Sequence, residues 1–354
     1  MTFGRSTMTI VSNDLKYITS AKLPWETLGN RSVLITGANG FLPAYMVEVL
    51  LYLNDTVLRN DKVTIYALAR NRRNAEKRFG KYLHRKELVF IIQDVVNPIA
   101  ISSSIDYIVH AASKTYSQYY AVDPVGVINA NILGTHNLMQ LAIKKKIESF
   151  LLFSSAEVYG IVDDHLQPVK EDIYGYIDLN SVRSCYAEGK RASEALSIAY
   201  AYQYGIPVKN ARLFHVYGPT MRLDSGSYSA DFVLSIIKKK DIVIHGDGET
   251  IRTCCYVADA ILACFYIMLK GANTSCYNVG GIGEIKIKNL AQLVADIYPE
   301  MSLKVLIRNR SGGGYQQSPV GRIVPDISRI CELGWFPKYS LKSGYERTIK
   351  SYYE

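Results

Sequence analysis

Ser32-Val33-Leu34-Ile35-Thr36-Gly37-Ala38-Asn39-Gly40-Phe41-Leu42-Pro43 is the stretch whose reading decides the fold. The run from Ser32 to Thr36 is short, uncharged and largely apolar, as a strand buried on both faces requires. Glycines follow at 37 and 40, and apolar periodicity from Leu42 to about Leu53 then suits a helix. Strand, glycine turn and helix in this order make an anion site. Gly37 permits the tight turn, Gly40 lets backbone approach a phosphate, and the helix start offers unbonded N–H groups and a positive dipole end. Pro43 stands where a third glycine is usual. In the first helical turn its missing N–H costs nothing, so the turn survives with altered helix–strand packing.

Outward from this turn the chain alternates. Val63–Leu68 reads as a second strand ending in Ala69-Arg70-Asn71, and Val89–Ile92 as a third, followed by Asp94 and Val95. Tyr107–His110 is a fourth, ending in Ala111-Ala112-Ser113; Asn129–Ala142 is helical, and Phe150–Phe153 is a fifth strand. Strands alternating with helices predict an α/β fold with a doubly wound parallel Rossmann-type sheet. A dinucleotide is then expected along the strand ends, touching Gly37, Asn39, Gly40, Phe41, Leu42, Asp94, Val95, Ala111, Ala112 and Ser113. An acid closing the second strand would select NAD through the adenosine ribose. Arg70 stands there instead, and reads either as a partner for a 2′-phosphate, leaving NADP open, or as a solvated basic helix start.

Composition limits the alternatives. The chain has 354 residues, 48% hydrophobic and 21% charged, with a formal net charge of +9. This is too apolar for disorder and long enough for a large domain with a smaller one. The basic residues are scattered apart from Arg70–Arg78 and Lys238–Lys240, so nucleic-acid binding is not expected, and a polyanionic small substrate suits the charge. The apolar run Ile261–Leu269 is too short to span a membrane. No secretory signal is visible, and a cytoplasmic protein is expected. The six cysteines show no Cys-x-x-Cys spacing and do not cluster with histidine, so no metal site is expected and the thiols read as reduced. Residues 1–30 are polar and irregular and read as a capping segment or an N-terminal arm.

Ser154-Ser155-Ala156-Glu157-Val158-Tyr159-Gly160 closes the fifth strand, where open α/β sheets place ligands. Further on, Tyr186-Ala187-Glu188-Gly189-Lys190 opens a helix running to about Tyr202. Positions i and i+4 share a helix face, so Tyr186 and Lys190 address one ligand. The ammonium is expected to favour the phenolate, which then takes a proton from a sugar hydroxyl while hydride leaves to a nicotinamide. With 27 tyrosines, Tyr-x-x-x-Lys alone arises by chance. Its order after the glycine turn and the Ser155 strand end gives it meaning.

These segments together resemble the extended short-chain dehydrogenase/reductase family, and within it the nucleotide-sugar epimerases, dehydratases and decarboxylases. The resemblance covers about residues 31–345. It rests on GANGFLP at 37–43, SSAEVYG at 154–160, RSCYAEGKR at 183–191, RLFHVYGP at 212–219, RTCCYVAD at 252–259, YNVGG at 277–281 and PDISRICELGWFPK at 325–338. UDP-glucuronate decarboxylases look most similar. The resemblance implies tightly bound NAD, a nucleotide-diphosphate sugar as substrate, a 4-keto intermediate and a homodimer. It makes Tyr186 the base, gives Lys190 a second role on the nicotinamide ribose, has Ser155 polarise the C4 hydroxyl, and sets Glu157 near C5.

It also implies a dinucleotide-binding domain over 31–213 and a smaller α/β substrate domain mainly over 214–354, with segments returning to the large one. There Arg252 is the implied pyrophosphate clamp, and Arg322 a further phosphate candidate. Ser311-Gly312-Gly313-Gly314 reads as a loop. Departures matter as much. Ala156 replaces the acid that expels water in dTDP-glucose dehydratases. His215 replaces the usual substrate-contacting asparagine, Ser227 the decarboxylases' arginine and Asp231 their asparagine. Decarboxylation or dehydration is the expected reaction; C4 epimerisation, keto-sugar reduction by NADPH and, last, a non-enzymatic dinucleotide sensor are the alternatives.

Overall fold

The computed structural model describes residues 9–308 and 320–354; the Ser311–Gly314 loop expectation lies outside the described residues. Its strands in chain order are β1 (Ser32–Thr36), β2 (Thr64–Ala69), β3 (Leu88–Ile92), β4 (Tyr107–His110), β5 (Ser149–Ser155), β6 (Val208–Leu213), β7 (His215–Tyr217), β8 (Ile242–His245), β9 (Ile251–Arg252), β10 (Cys254–Tyr256), β11 (Ser275–Val279), β12 (Ile285–Lys286), β13 (Val305–Arg308) and β14 (Arg322–Ile323). Its helices are α1 (Ile10–Thr19), α2 (Phe41–Asp55), α3 (Arg72–Arg78), α4 (Ser117–Val122), α5 (Pro124–Lys145), α6 (Ser184–Tyr204), α7 (Tyr228–Ile237), α8 (Val257–Lys270), α9 (Ile287–Ala295), α10 (Ser328–Cys331) and α11 (Leu341–Lys350).

Seven strands form one parallel sheet in the order β11-β6-β5-β4-β1-β2-β3. This is the doubly wound arrangement expected, with β11 added at one edge. Side-chain alternation explains why both faces are covered. On one face Leu34, Ile108, Phe150 and Leu152 pack with residues of α5 and α6. On the other, Val33, Ile35, Leu151 and Phe153 pack with α2 and α8. The remaining strands make small sheets, β7 with β10, β8 with β13, and β9 between β12 and β14. All six cysteines are free. Among the described residues no helix is long and apolar enough to cross a membrane.

The chain leaves β1 in one direction through β2 and β3 and returns on the other side through β4, so the sheet opens between β1 and β4. The Thr36 hydroxyl ties this point together. It accepts the N–H groups of Ala111 and Ala112 at 3.2 and 3.1 Å and lies 3.0 Å from His110 Nδ1. An oxygen already accepting two N–H bonds gives its own proton to the imidazole, so Nδ1 is unprotonated and His110 is neutral. Burial, with the Lys190 charge adding to it, pushes His110 down to about 3.

Residues 9–30 correct the expectation of an irregular arm. Thr9 caps α1, whose Leu15 and Ile18 are buried, and Trp25 meets Phe265 of α8 edge to face at 5.2 Å. The sequence misleads because an acid, Asp14, sits on the buried face. Its carboxylate takes the Arg347 guanidinium of α11 at 2.5 Å and the Tyr256 hydroxyl at 2.8 Å. The Ile10 N–H donates to the Glu354 carboxylate at 2.9 Å, so the two ends of the described chain are clasped.

Two outcomes follow. Asp14→Ala leaves the Arg347 guanidinium without its carboxylate, holding only the Tyr256 hydroxyl and the Ile10 carbonyl, and should cost about 3 kcal/mol, seen as a lower denaturant midpoint. The unfolded chain binds a proton at His110 below about pH 6.5 that the folded chain refuses, so this histidine's contribution to stability is lost as pH falls from there toward 3. Between pH 7 and 5, wild type should lose about 2 kcal/mol more than His110→Asn in urea titrations at the two pH values.

Candidate active site

The carboxyl ends of the central strands open into a cleft of about 1420 Å³. The glycine turn forms one end of it. Gly37 has φ +64°, and a Cβ there would lie 2.9 Å from the Ala112 Cα, so the turn fits against β4 only as glycine. A Cβ on Gly40 would stand 3.0 Å from the Gly37 carbonyl oxygen. Helix α2 begins at Phe41 with Gly40 as a cap that has no side-chain bond, so its first N–H groups have no side-chain acceptor at the cap. Pro43 lies in the first turn, as expected. This end, a bare helix start with tight glycine backbone beside it, fits a dinucleotide pyrophosphate.

Every residue expected to touch a dinucleotide lines this cleft: Gly37, Asn39, Gly40, Phe41 and Leu42 from the turn, Asp94 and Val95 after β3, and Ala111, Ala112 and Ser113 after β4. Arg70, at the end of β2, lines it too, about half exposed, with its guanidinium 3.9 Å from the Asp94 carboxylate.

Ser155, Glu157, Tyr186 and Lys190 all line this cleft. Ser155 ends β5, and its hydroxyl accepts the Glu157 N–H at 3.2 Å. Tyr186 and Lys190 face it from the first turns of α6. Both are buried, 7% and 3% exposed. Burial pushes the Tyr186 phenol up to about 12; a hydrogen bond with Ser155 opposes this and the Glu157 carboxylate adds to it. Burial pulls the Lys190 ammonium down to about 8, with Glu194 opposing. The expected lowering of the phenol by the ammonium is not among the forces on Tyr186 in the chain by itself. Burial is again the reason: with the ammonium down at about 8 and the phenol up at about 12, Lys190 is already neutral where Tyr186 would ionise, although its Nζ, donating to the Phe153 carbonyl at 2.6 Å, stands only 5.9 Å from the Tyr186 ring centre.

Two residues that sequence reasoning passed over complete this group. The Tyr120 ring stacks on Tyr186, with centres 5.3 Å apart and planes 19° off parallel. The Arg183 guanidinium lies 5.6 Å from the Tyr120 ring centre and donates to the Glu157 carboxylate at 2.9 Å. Arg183 stands three residues before Tyr186, so the helix start already carried a signal for it. Tyr120 carried none, because only tertiary packing brings it to Tyr186.

The far wall comes from residues after 213. His215, Ser227, Tyr228, Asp231 and Arg252 line it. Arg252 reaches this position from β9, largely buried, with its guanidinium on the carbonyls of Ile251, Val320 and Gly321 at 2.8, 2.7 and 3.2 Å. Burial lowers its pKa, so an incoming anion would relieve a desolvated cation. Arg322 is not brought to the cleft. Its guanidinium is held by the Glu284 carboxylate at 2.8 Å, and its neighbour Ile323 lines the wall instead.

A model of the NAD dependent epimerase/dehydratase family matches residues 33–280. UDP-glucuronic acid decarboxylase 6 of Arabidopsis thaliana is 31% identical over 317 residues, covering 89% of this chain and 87% of that protein. Among solved structures, UDP-glucuronic acid 4-epimerase from Bacillus cereus superposes with a TM-score of 0.75 at 22% identity, covering 90% of this chain and 98% of the other. The dTDP-glucose 4,6-dehydratase of Bacillus anthracis gives 0.74 at 19%, covering 91% and 96%. These likenesses extend over the sheet and the far wall alike.

The glycine turn makes a direct test possible. Gly40→Val places two methyl groups where a phosphate must approach, against the Gly37 carbonyl and Pro43. Titration with dinucleotide should show binding lost, at least ~10-fold weaker than in the parent chain.

Proposed function

Because the chain belongs to the NAD dependent epimerase/dehydratase family, we propose that it modifies the sugar of a nucleotide-diphosphate sugar through a 4-keto intermediate, with UDP-glucuronate decarboxylation as the reaction. The observation that carries this reading is the convergence of Ser155, Tyr186, Lys190 and Glu157 in one cleft with the glycine turn. Relatives such as UDP-glucuronic acid decarboxylase 6 of Arabidopsis thaliana support the choice of reaction.

NAD, when bound, supplies the hydride acceptor for C4, returns the hydride, and adds a positive charge to the site. Gly37, Asn39, Gly40, Phe41 and Leu42 would hold its pyrophosphate, and Asp94 beside Arg70 its adenosine end. Tyr186 takes the C4 hydroxyl proton, and Ser155 holds that hydroxyl and the phenol in line. A phenol raised to about 12 needs added positive charge to act as base near neutral pH. The 4-ketone makes the C5–C6 bond of a glucuronate labile: the C6 carboxylate leaves as carbon dioxide, its electron pair passes through C5 to the C4 oxygen, and C5 is then protonated. Glu157, steered by Arg183, stands to manage that proton. His215 and Arg252 face the pyrophosphate.

One observation favours a second reading. Ser227 and Asp231 line the cleft where the resembled decarboxylases carry arginine and asparagine, which removes a positive charge and adds a negative one. Such a wall suits a neutral sugar, and hence C4 epimerisation or dehydration. Incubating the chain with NAD and a panel of UDP-, dTDP-, CDP- and GDP-sugars, followed by mass measurement, separates the readings. Loss of carbon dioxide supports the first and loss of water a dehydratase. Unchanged mass with a new sugar proton spectrum means epimerisation, and a gain of two hydrogens with NADPH means reduction. If no sugar is converted while NAD is bound, the reading fails.

Tyr186→Phe removes one oxygen and keeps the ring stacked on Tyr120. It should lower turnover at least ~10²-fold with unfolding and NAD titration unchanged. We also propose a homodimer: on α6, Ala195 and Ala199 are exposed and Ala192 and Leu196 half-buried, a small-residue face suited to a second copy. Light scattering should give twice the 39.7 kDa chain mass; a monomer at micromolar concentration overturns this.

A further inference from the structure

His215 replaces an asparagine, and a histidine, unlike an amide, must be told which nitrogen carries its proton. The structure contains a device for this. His215 Nε2 lies 2.7 Å from the Ser229 hydroxyl of α7, which lies 2.5 Å from the Tyr345 hydroxyl of α11. Ser229 and Tyr345 are both fully buried behind the cleft wall, 1% and 0% exposed. The imidazole is stacked on Tyr228, with centres 4.2 Å apart, so it cannot tumble to exchange its nitrogens without breaking that stack.

The direction of the protons follows from donor strength. Burial pushes the Tyr345 phenol well above its ordinary value, so it keeps its proton. The Cys254 sulfur is also within its reach, but a phenol is a stronger donor than an aliphatic hydroxyl, so toward Ser229 it is the phenol that donates. Ser229 then spends its single proton on His215 Nε2. Burial and the nearby Arg252 charge push the imidazole down to about 3, so the ring is neutral and its proton sits on Nδ1. The cleft is offered a fixed N–H donor beside the Arg252 cation.

We propose that Tyr345 is a positioning residue for ligand binding: through Ser229 it fixes His215 as the Nδ1–H tautomer, a donor to an anionic acceptor of the nucleotide diphosphate. This rests on the nucleotide-sugar reading above. The relay explains how a histidine serves at a position where the resembled enzymes use an amide. An amide nitrogen is always a donor, whereas an imidazole nitrogen is one only if its partner nitrogen accepts.

The test uses the full chain and UDP as probe. Wild type should bind UDP in calorimetry, and Tyr345→Phe should weaken it roughly 5-fold, the effect of one hydrogen bond, with NAD affinity unmoved. In a His215→Asn background the same Tyr345→Phe change should leave UDP affinity as it is, because the amide needs no relay. Nitrogen-15 spectra should show His215, assigned by its loss in His215→Asn, as the Nδ1–H form, and as a mixture or the Nε2–H form in Tyr345→Phe. An equal loss of UDP affinity in the His215→Asn background overturns the proposal, since Tyr345 would then act through packing. So does an Nε2–H signal in wild type. If wild type binds no UDP, the nucleotide-sugar reading falls instead, while the spectra still decide the tautomer.

Discussion

The close fit of Gly37 against Ala112 is the constraint on which the rest depends. Two strands that leave the middle of a parallel sheet in opposite directions open a gap, and a ligand can enter it only if the backbone on both sides stays low. Gly37 has no Cβ to raise it, and the Thr36 hydroxyl draws the Ala111 and Ala112 amides down onto β1. The same hydroxyl requires a neutral His110. The cofactor end of the cleft, the path of the chain after β4 and the acid sensitivity of the core therefore share one oxygen atom.

The reacting end follows a different logic. Tyr186 and Lys190 are both buried, and burial opposes the charged form of each. Left alone, the pair is poorly poised for proton transfer, so the base proposed here would depend on what enters the cleft. A site of this kind stays idle until loaded. Arg252 and His215 on the far wall repeat the pattern, one a cation with carbonyl partners and the other an imidazole held neutral.

The central sheet was legible in the sequence because its strands are buried on both faces and read as apolar runs between turns, and because glycines 37 and 40 fall between such a strand and a helix. Tyr186, Lys190, Ser155 and Glu157 were legible through their order along the chain. What was hidden depends on long-range packing. Asp14 made α1 look solvated because its partner Arg347 lies more than three hundred residues away. Tyr120 reaches Tyr186 only through the fold, and the Tyr345–Ser229–His215 relay joins three elements with no shared pattern. Arg322 was a phosphate candidate through the family resemblance, whereas its ion pair with Glu284 is set only by the fold.

The clasp between the first and last helices has a dynamic meaning. Helices α1 and α11 and the end of strand β10 share the Asp14–Arg347–Tyr256 group, and α11 also carries Tyr345. Groups tied in this way are expected to open in hydrogen exchange as one unit rather than to fray from either end. Such an opening would carry Tyr345 away from Ser229 and leave His215 without its instruction. On the relay proposed above, the local stability of this unit would bear on how much of the time His215 presents its Nδ1–H form.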